Sequence, residues 1–332
     1  MRNSEVVLNF IANQPKGCPL CGSGRAQLHR WHSIADVRAE WKQGLGFDPF
    51  DRLETGDHLF QYRCLDCDMR FYHPAICGDG EFYKELSTRF VWYYEKDKWE
   101  FDVAADLISQ LTDVRRLLEV GCGQGHFLTR MHNLYNCQGV EFNPKAIEDC
   151  QAKGLNVSSS TLRSIETSFD LVVAFEVLEH LSNPREFMED ALRVVKPNGY
   201  LLLAVPNPEG YFSEADRVLL DMPPHHVLSL SKKTFENIAK IFQLEIVNIQ
   251  QEPLRFAHYK SYISNFILPD LPTAEKQPLL KRLMRRFLGI DLDVERRKVV
   301  EQLTAIQLAT SYPIAKDGLT GQTHMVLFRK IA

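Results

Sequence analysis

The sequence predicts an α/β fold: a mostly parallel sheet with flanking helices, a small cysteine-rich module before it and a helical insertion before the last strand. Three observations carry this reading. Leu117-Leu-Glu-Val-Gly-Cys-Gly-Gln-Gly-His-Phe-Leu128 reads as a strand, a tight glycine turn and a helix start. Phe169–Phe175 and Tyr200–Val205 are near-continuous apolar runs, as expected of parallel strands covered on both faces. Cys18-Pro-Leu-Cys21 and Cys64-Leu-Asp-Cys67 are two Cys-x-x-Cys pairs separated by a long stretch.

The remaining elements follow in order. A helical insertion is expected between the cysteine pairs, around Ala35–Gln43. Val103, Leu107, Ile108 and Leu111 space a helix over Asp102–Leu111 that leads into strand Arg116–Val120. Cys137–Val140 is a second short strand. The turn Lys196-Pro-Asn-Gly199 enters Tyr200–Val205. Ser231, followed by Phe235, Ile238, Ala239 and Phe242, reads as a capped amphipathic helix before strand Leu244–Ile249. Thr323–Arg329 is the last strand. The divisions are residues 1–77 for the cysteine module, 78–112 for an aromatic linker and helix, 113–251 for the core, 252–320 for the helical insertion and 321–332 for the closing strand.

Composition bounds the function. The chain of 332 residues is 45% hydrophobic and 25% charged, an ordinary globular balance. A net charge of −4 and a pI near 6.3 give no global reason to expect nucleic acid. No apolar run approaches the roughly 18 residues of a membrane span. Met1–Lys16 carries only the short patch Val6-Val-Leu, so no signal peptide and a cytoplasmic location are expected. Eight cysteines without an export signal point to reduced thiols and metal ligation. Cys18, Cys21, Cys64 and Cys67 suit one tetrahedral Zn²⁺. Four thiolates leave no open position, so the metal is expected to be structural. Cys77 and His73 are further potential ligands, with an apolar or solvent role the expected one.

The glycine turn lets a ligand approach bare backbone, and the helix start offers unpaired N–H groups. Glu141 stands twenty positions after Gly121, an offset that suits the two hydroxyls of a ribose. His126 follows Gly125 where a dinucleotide fingerprint would run on to a later glycine, so a nucleoside with a small polar tail fits better than a pyrophosphate.

Glu119-Val-Gly-Cys-Gly-Gln-Gly125 resembles motif I of the class I S-adenosylmethionine-dependent methyltransferases. Gly139–Pro144, Phe169–Leu181 and Leu192–Leu203 match later motifs in order, so the resemblance covers roughly residues 100–250. It implies a Rossmann-like seven-stranded sheet and S-adenosylmethionine as cofactor. The cysteine pairs with Phe71-Tyr-His-Pro74 resemble the N-terminal zinc-binding region of bacterial sugar and polysaccharide methyltransferases. That likeness extends into Trp92–Phe101, whose tyrosines and Trp99 pack over the adenosine, line the acceptor pocket, or staple the zinc module to the core.

By resemblance, Gly121, Gly123 and Gly125 bring backbone to the methionine portion, Glu141 with Phe142 holds the ribose, and Glu119 orients the loop or the amino group. Leu162 lies beside adenine, although Ser160-Thr-Leu-Arg163 lacks the acidic residue the family often has there. Phe175 and Glu176 border the methionine end and the acceptor. An alcohol acceptor needs a base, worth about 10²–10⁴-fold. Met222-Pro-Pro-His-His-Val-Leu-Ser-Leu-Ser231 supplies His226 and His225, on the edge where ligands bind in open α/β sheets. His226 matches a histidine of this subfamily five positions before a serine-capped helix. Glu176-Val-Leu-Glu179-His180 is similar to a run associated with divalent metal in some quinone-pathway O-methyltransferases and serves structurally in many relatives.

The implied reaction is methyl transfer to a small-molecule acceptor, most directly a sugar hydroxyl, with a nucleotide-linked sugar among the candidates. Two alternatives stand beside it. One is an RNA base methyltransferase with a zinc module, opposed by the acidic charge and the lack of a basic stripe. The other is a non-catalytic cofactor-binding subunit. Residues 279–288 place Lys281, Arg282, Arg285 and Arg286 at helical spacing, as a solvated face or a surface for an acidic acceptor, membrane or polyanion.

Overall fold

The computed structural model describes residue 10 and residues 14–213, 218–256, 258–259, 298, 302, 305–306, 309–313, 315 and 318–331. The apolar patch at 6–8, most of the insertion 252–320 and the whole basic stretch 279–288 lie outside the described residues.

The chain first builds a small antiparallel sheet from β1 (Ala26–Ser33), β2 (His58–Cys64) and β3 (Arg70–His73), with α1 (Ile34–Leu45) between β1 and β2. Ser33 caps α1 by accepting from Asp36 N–H, and Gly46 ends it at φ 77°. α2 (Gly80–Arg89), a short 3₁₀ turn (Val91–Tyr94) and α3 (Trp99–Ser109) lead to the main sheet. That sheet is built from β4 (Arg116–Val120), β5 (Asn136–Val140), β6 (Val157–Ser158), β7 (Phe169–Phe175) and β8 (Val195–Pro206). Intervening helices are α4 (His126–Met131), α5 (Pro144–Ala152) and α6 (Pro184–Val194). The chain continues through β9 (Leu228–Ser229), α7 (Lys232–Phe242), β10 (Leu244–Pro253) and β11 (Thr320–Lys330).

The main sheet has seven strands in the order β10-β11-β8-β7-β4-β5-β6. β4 pairs in parallel with β5 and β7, β5 with β6, and β7 with β8, while β11 runs antiparallel to β8. This is the expected mainly parallel Rossmann-like sheet. Because strand residues alternate faces, Val172 and Ala174 of β7 enter one core and Leu171, Val173 and Phe175 the other. The first core also contains Cys18, Cys64, Cys67, Tyr62 and Phe71. The cysteine sheet therefore shares its interior with one face of the main sheet.

β9 joins the small sheet rather than the large one. Its Leu228 and Ser229 stand opposite Phe71 and Arg70 of β3, giving the order β1-β2-β3-β9. A segment of the core domain thus completes the N-terminal sheet. Several boundaries differ from expectation. β8 starts at Val195, so the expected turn Lys196–Gly199 lies within a strand whose register with β7 shifts between Phe169 and Leu171. Asn198 takes φ 63° there, and Lys196 Nζ reaches Asp170 at 2.6 Å.

Residues Glu209–Asp216 and Glu252–Gln322 form a second compact unit. Its described part is held by Tyr211, Leu254 and Tyr259 and by Glu252, which pairs with Arg255 at 2.7 Å and accepts from Gln322 N–H at 2.9 Å. Among the described residues, no helix is long and apolar enough to cross a membrane.

Candidate functional site

The four cysteines converge. Cys18 and Cys67 sulfurs are 3.5 Å apart, as are those of Cys21 and Cys64, and all four lie within 4.8 Å of one another. Zn–S bonds near 2.3 Å put tetrahedral sulfurs about 3.8 Å apart, so the donor set fits. Each pair sits on a knuckle: Gly22 N–H bonds Cys18 O at 2.8 Å and Asp68 N–H bonds Cys64 O at 3.0 Å. The residue after each second cysteine is left-handed, Gly22 at φ 76° and Asp68 at φ 71°. Neither Cys77 nor His73 belongs to the group.

The glycine loop joins β4 to α4 as expected, and Gly121, Gly123 and Gly125 take φ of 69°, 51° and 71°. Its interactions are more inward than the sequence implies. A Cβ on Gly121 would meet Val177 Cγ2 at 2.6 Å, on Gly123 the Tyr94 ring at 2.9 Å, and on Gly125 Leu155 Cδ1 at 2.6 Å. Protein packing thus demands these glycines along with backbone angle. The loop's N–H groups are also engaged, Gly121 and Cys122 with Val140 O and Gly125 with Cys122 O. These bonds fold the loop back on the end of β5.

Glu141, at that end, accepts N–H from Gly123, Phe142 and Asn143, each at 2.8 Å. An ionised carboxylate has about four acceptor positions, which leaves one for a ligand. Phe142 is 71% exposed beside it. Leu162 and Phe175 are core side chains, Phe175 packed between Phe101 and Phe127 with ring centroids at 5.0 and 4.7 Å. Glu119 is buried in β4 and Glu176 ends β7 at φ 53°. One oxygen of each is buried without a hydrogen-bond partner among the described residues, and burial raises both carboxyls well above the usual range. Unpaired carboxyls at the C-terminal edge fit a ligand carrying positive charge.

Beside Glu176, three histidines from two segments meet. His225 and His226 stack at 4.2 Å and 24°, and the His180 ring is 4.7 and 4.8 Å from them. Their nitrogens differ in use. His225 Nδ1 faces Leu220 O at 2.8 Å and its Nε2 faces the Tyr93 hydroxyl at 3.3 Å, so both are engaged. His226 Nδ1 faces Asp221 Oδ1 at 3.1 Å, while its Nε2 lies 3.9 Å from Glu179 Oε1, beyond hydrogen-bond range. His180 Nδ1 donates to His225 O at 2.6 Å and its Nε2 is 3.7 Å from the same Glu179 oxygen.

Glu179 is fully buried with neither oxygen bonded among the described residues, and burial raises its carboxyl to about 8. Burial lowers all three histidines, His180 to about 4, so they are neutral at pH 7. Asp221 is itself raised to about 6 by burial. Chemically, His180 and His226 each pair an anchored Nδ1 with an Nε2 beyond hydrogen-bond range of Glu179, and the anchor of His226 is a carboxylate. His180, His225 and His226 each also offer a ligand atom within 4.8 Å of the others, a set that could hold a metal ion.

The sequence analysis singled out the stretch that holds Tyr93 but missed Asp221 and the part played by Glu179 and His180 around the histidine pair. Asp221 lies five residues before His226, in a loop whose geometry no periodicity reveals.

Residues 91–249 match a family model described as a methyltransferase domain. The chain is 27% identical over 215 residues to a Rickettsia bellii protein named ubiquinone biosynthesis O-methyltransferase, spanning 58% of this chain and 83% of that one. A Schizosaccharomyces pombe mitochondrial protein of the same name is 34% identical over 102 residues, 27% of this chain and 37% of that one. The solved structure of an S-adenosylmethionine-dependent methyltransferase from Archaeoglobus fulgidus aligns at TM-score 0.45 and 20% identity, over 76% of this chain and 100% of that one.

Proposed function

From a chain that carries an S-adenosylmethionine-dependent methyltransferase domain, we propose transfer of the methyl group to a hydroxyl of a small molecule, with His226 as general base. The observation that carries this is the anchoring of His226: its Nδ1 faces the Asp221 carboxylate at 3.1 Å while its Nε2 stands 3.9 Å from Glu179, whereas the Nδ1 of His180 is held by a backbone carbonyl. The name shared by the two relatives, ubiquinone biosynthesis O-methyltransferase, supports the same class of acceptor.

The bound cofactor supplies an electrophilic methyl carbon and a neutral thioether as leaving group. Glu141 and the loop Gly121–Gly125 hold the nucleoside and the amino-acid tail, and the Glu119 and Glu176 carboxyls meet positive charge. His226 Nε2 accepts the hydroxyl proton as the oxygen attacks, and Asp221 Oδ1 holds the Nδ1–H of the imidazolium that forms. Burial keeps His226 unprotonated at rest and shields the attacking oxygen from water. Cys18, Cys21, Cys64 and Cys67 hold a structural zinc.

The acceptor is a sugar or a phenolic hydroxyl, the first from the zinc-module resemblance and the second from the relatives. An intact-mass screen for addition of one methyl group, run on nucleotide-linked sugars beside hydroxylated aromatics, tests this. A methylated alcohol or phenol in either arm is the expected result. Methylation confined to amines or to RNA would overturn it.

A further inference from the structure

The 3₁₀ turn Val91–Tyr94 touches both halves of the site. On one side, the Tyr94 ring lies so close to the glycine loop that a Cβ on Gly123 would stand 2.9 Å from Cε1 and 3.1 Å from Cδ1. Gly123 N–H is also one of the donors to Glu141. On the other side, Tyr93 faces His225 Nε2 at 3.3 Å, with ring centroids at 5.8 Å and planes 65° apart. The two tyrosine rings meet edge-on at 5.3 Å, and His225 in turn stacks on His226. An unbroken series of ring contacts therefore runs from the cofactor loop to the imidazole assigned as base.

The direction of each hydrogen bond follows from the chemistry. His225 Nδ1 faces a carbonyl and must carry the proton, so Nε2 accepts and the Tyr93 hydroxyl donates. Burial raises the Tyr93 phenol well above its usual range, which keeps it a donor throughout the neutral region. A ligand seated on Gly123 and Glu141 contacts groups that Tyr94 already touches. Tyr94 must contact that ligand or yield to it.

We propose that Tyr93 and Tyr94 form a positioning couple: Tyr94 registers the cofactor on the glycine loop, and Tyr93 passes that contact to His225 and so to the orientation of His226. This rests on the assignment of His226 as base. A ligand shifts an arrangement only through contacts that differ between two states, and Tyr94 is where this difference arises.

The test uses the full-length protein with ¹⁵N-labelled histidine and S-adenosylhomocysteine as probe. In the wild type, saturation should move the ring signals of His225 and His226. Tyr94→Phe should respond like the wild type. Tyr94→Ala should bind the probe within about tenfold, as calorimetry reads it, yet leave the two histidines unmoved. Tyr93→Phe should lose the hydrogen-bonded Nε2 signature of His225 before any ligand is added. Gly123→Ala should bind weakly, and the double variant Gly123→Ala with Tyr94→Ala should recover affinity, because the clash is with that ring.

Histidine signals in Tyr94→Ala that move as in the wild type would overturn the couple, as would a saturated wild type whose histidines do not respond. An unaltered turnover in His226→Ala would instead refute the base assignment while the response of the rings stood.

Discussion

The metal module should control the catalytic loop while leaving the cofactor cradle alone. The links are specific. Tyr72 N–H bonds Val227 O at 2.9 Å, next to His226, and Ser231 Oγ donates to Asp68 Oδ2 at 2.6 Å from inside the second knuckle. Gly78 N–H bonds Pro224 O at 2.7 Å, and Asn237 Nδ2 reaches Cys67 O at 3.4 Å. Replacing Cys64, which is fully buried, by serine removes one thiolate and should abolish the metal. Each link is worth about 1 kcal/mol net, so four ordered by the metal amount to about 4 kcal/mol, or about 10³ in the population of the ordered loop. Amide exchange across residues 222–231 should therefore speed by up to about 10³, with turnover falling in parallel. S-adenosylhomocysteine affinity should change less than about threefold, because among the described residues the hydrogen bonds of the Glu141 carboxylate and of the glycine loop's N–H groups run to each other, to Phe142 and Asn143 and to β5, not to the module. Zinc content by mass spectrometry, calorimetry and hydrogen exchange read the three quantities separately. Metal-free protein with unchanged exchange at 222–231 would refute the reasoning, and so would an equal collapse of cofactor binding.

His226→Ala should lower turnover by about 10²–10⁴-fold with cofactor affinity kept, and calorimetry showing equal loss of both would place the residue in the wrong pocket. Turnover should fall as pH drops through about 6, where Asp221 protonates and releases the His226 Nδ1 anchor; a rate that is flat down to pH 5 would contradict that pairing. Gly121→Ala forces a side chain to φ 69° and into Val177 Cγ2 at 2.6 Å, and left-handed geometry alone costs about 1–2 kcal/mol, so tenfold weaker cofactor binding is expected and unchanged affinity would count against the loop. Buried His324 is lowered to about 4 from 6.5. Its unfolded form takes up the proton first, so stability holds above pH 6.5 and falls on acidification toward 4, by up to about 1.4 kcal/mol per unit. Denaturant titrations of His324→Leu should show a slope shallower by one proton.

Much of this arrangement was legible in the sequence because it depends on local rules. The glycine loop, the strands Arg116–Val120 and Phe169–Phe175 and the cysteine knuckles follow from periodicity, backbone angle and ligand spacing, and each stands where expected. What local rules do not carry is convergence. Tyr93, Glu179, His180 and Asp221 come to the histidine pair from three separate segments, and nothing in the spacing of any one points to the others. The strand Leu228–Ser229 is two residues long, too short for alternation to register, yet it decides which sheet the histidine loop belongs to. The inward packing of the glycines was hidden for the same reason, since Val177 and Tyr94 lie far from the loop in sequence.

The shared strand has a consequence for how the protein is made. The last of the four cysteines is synthesised at residue 67, whereas the strand that completes their sheet is residues 228–229. At about 5–20 residues per second of synthesis, the gap is on the order of ten seconds. During that time β3 is an uncovered sheet edge on a nascent chain. Arg70, at its start and opposite Arg63 of β2, is the kind of charged side chain that keeps an open edge from pairing with a neighbouring polypeptide. In the finished molecule Arg63 is paired with Asp68, so charge carried on this edge costs the fold little.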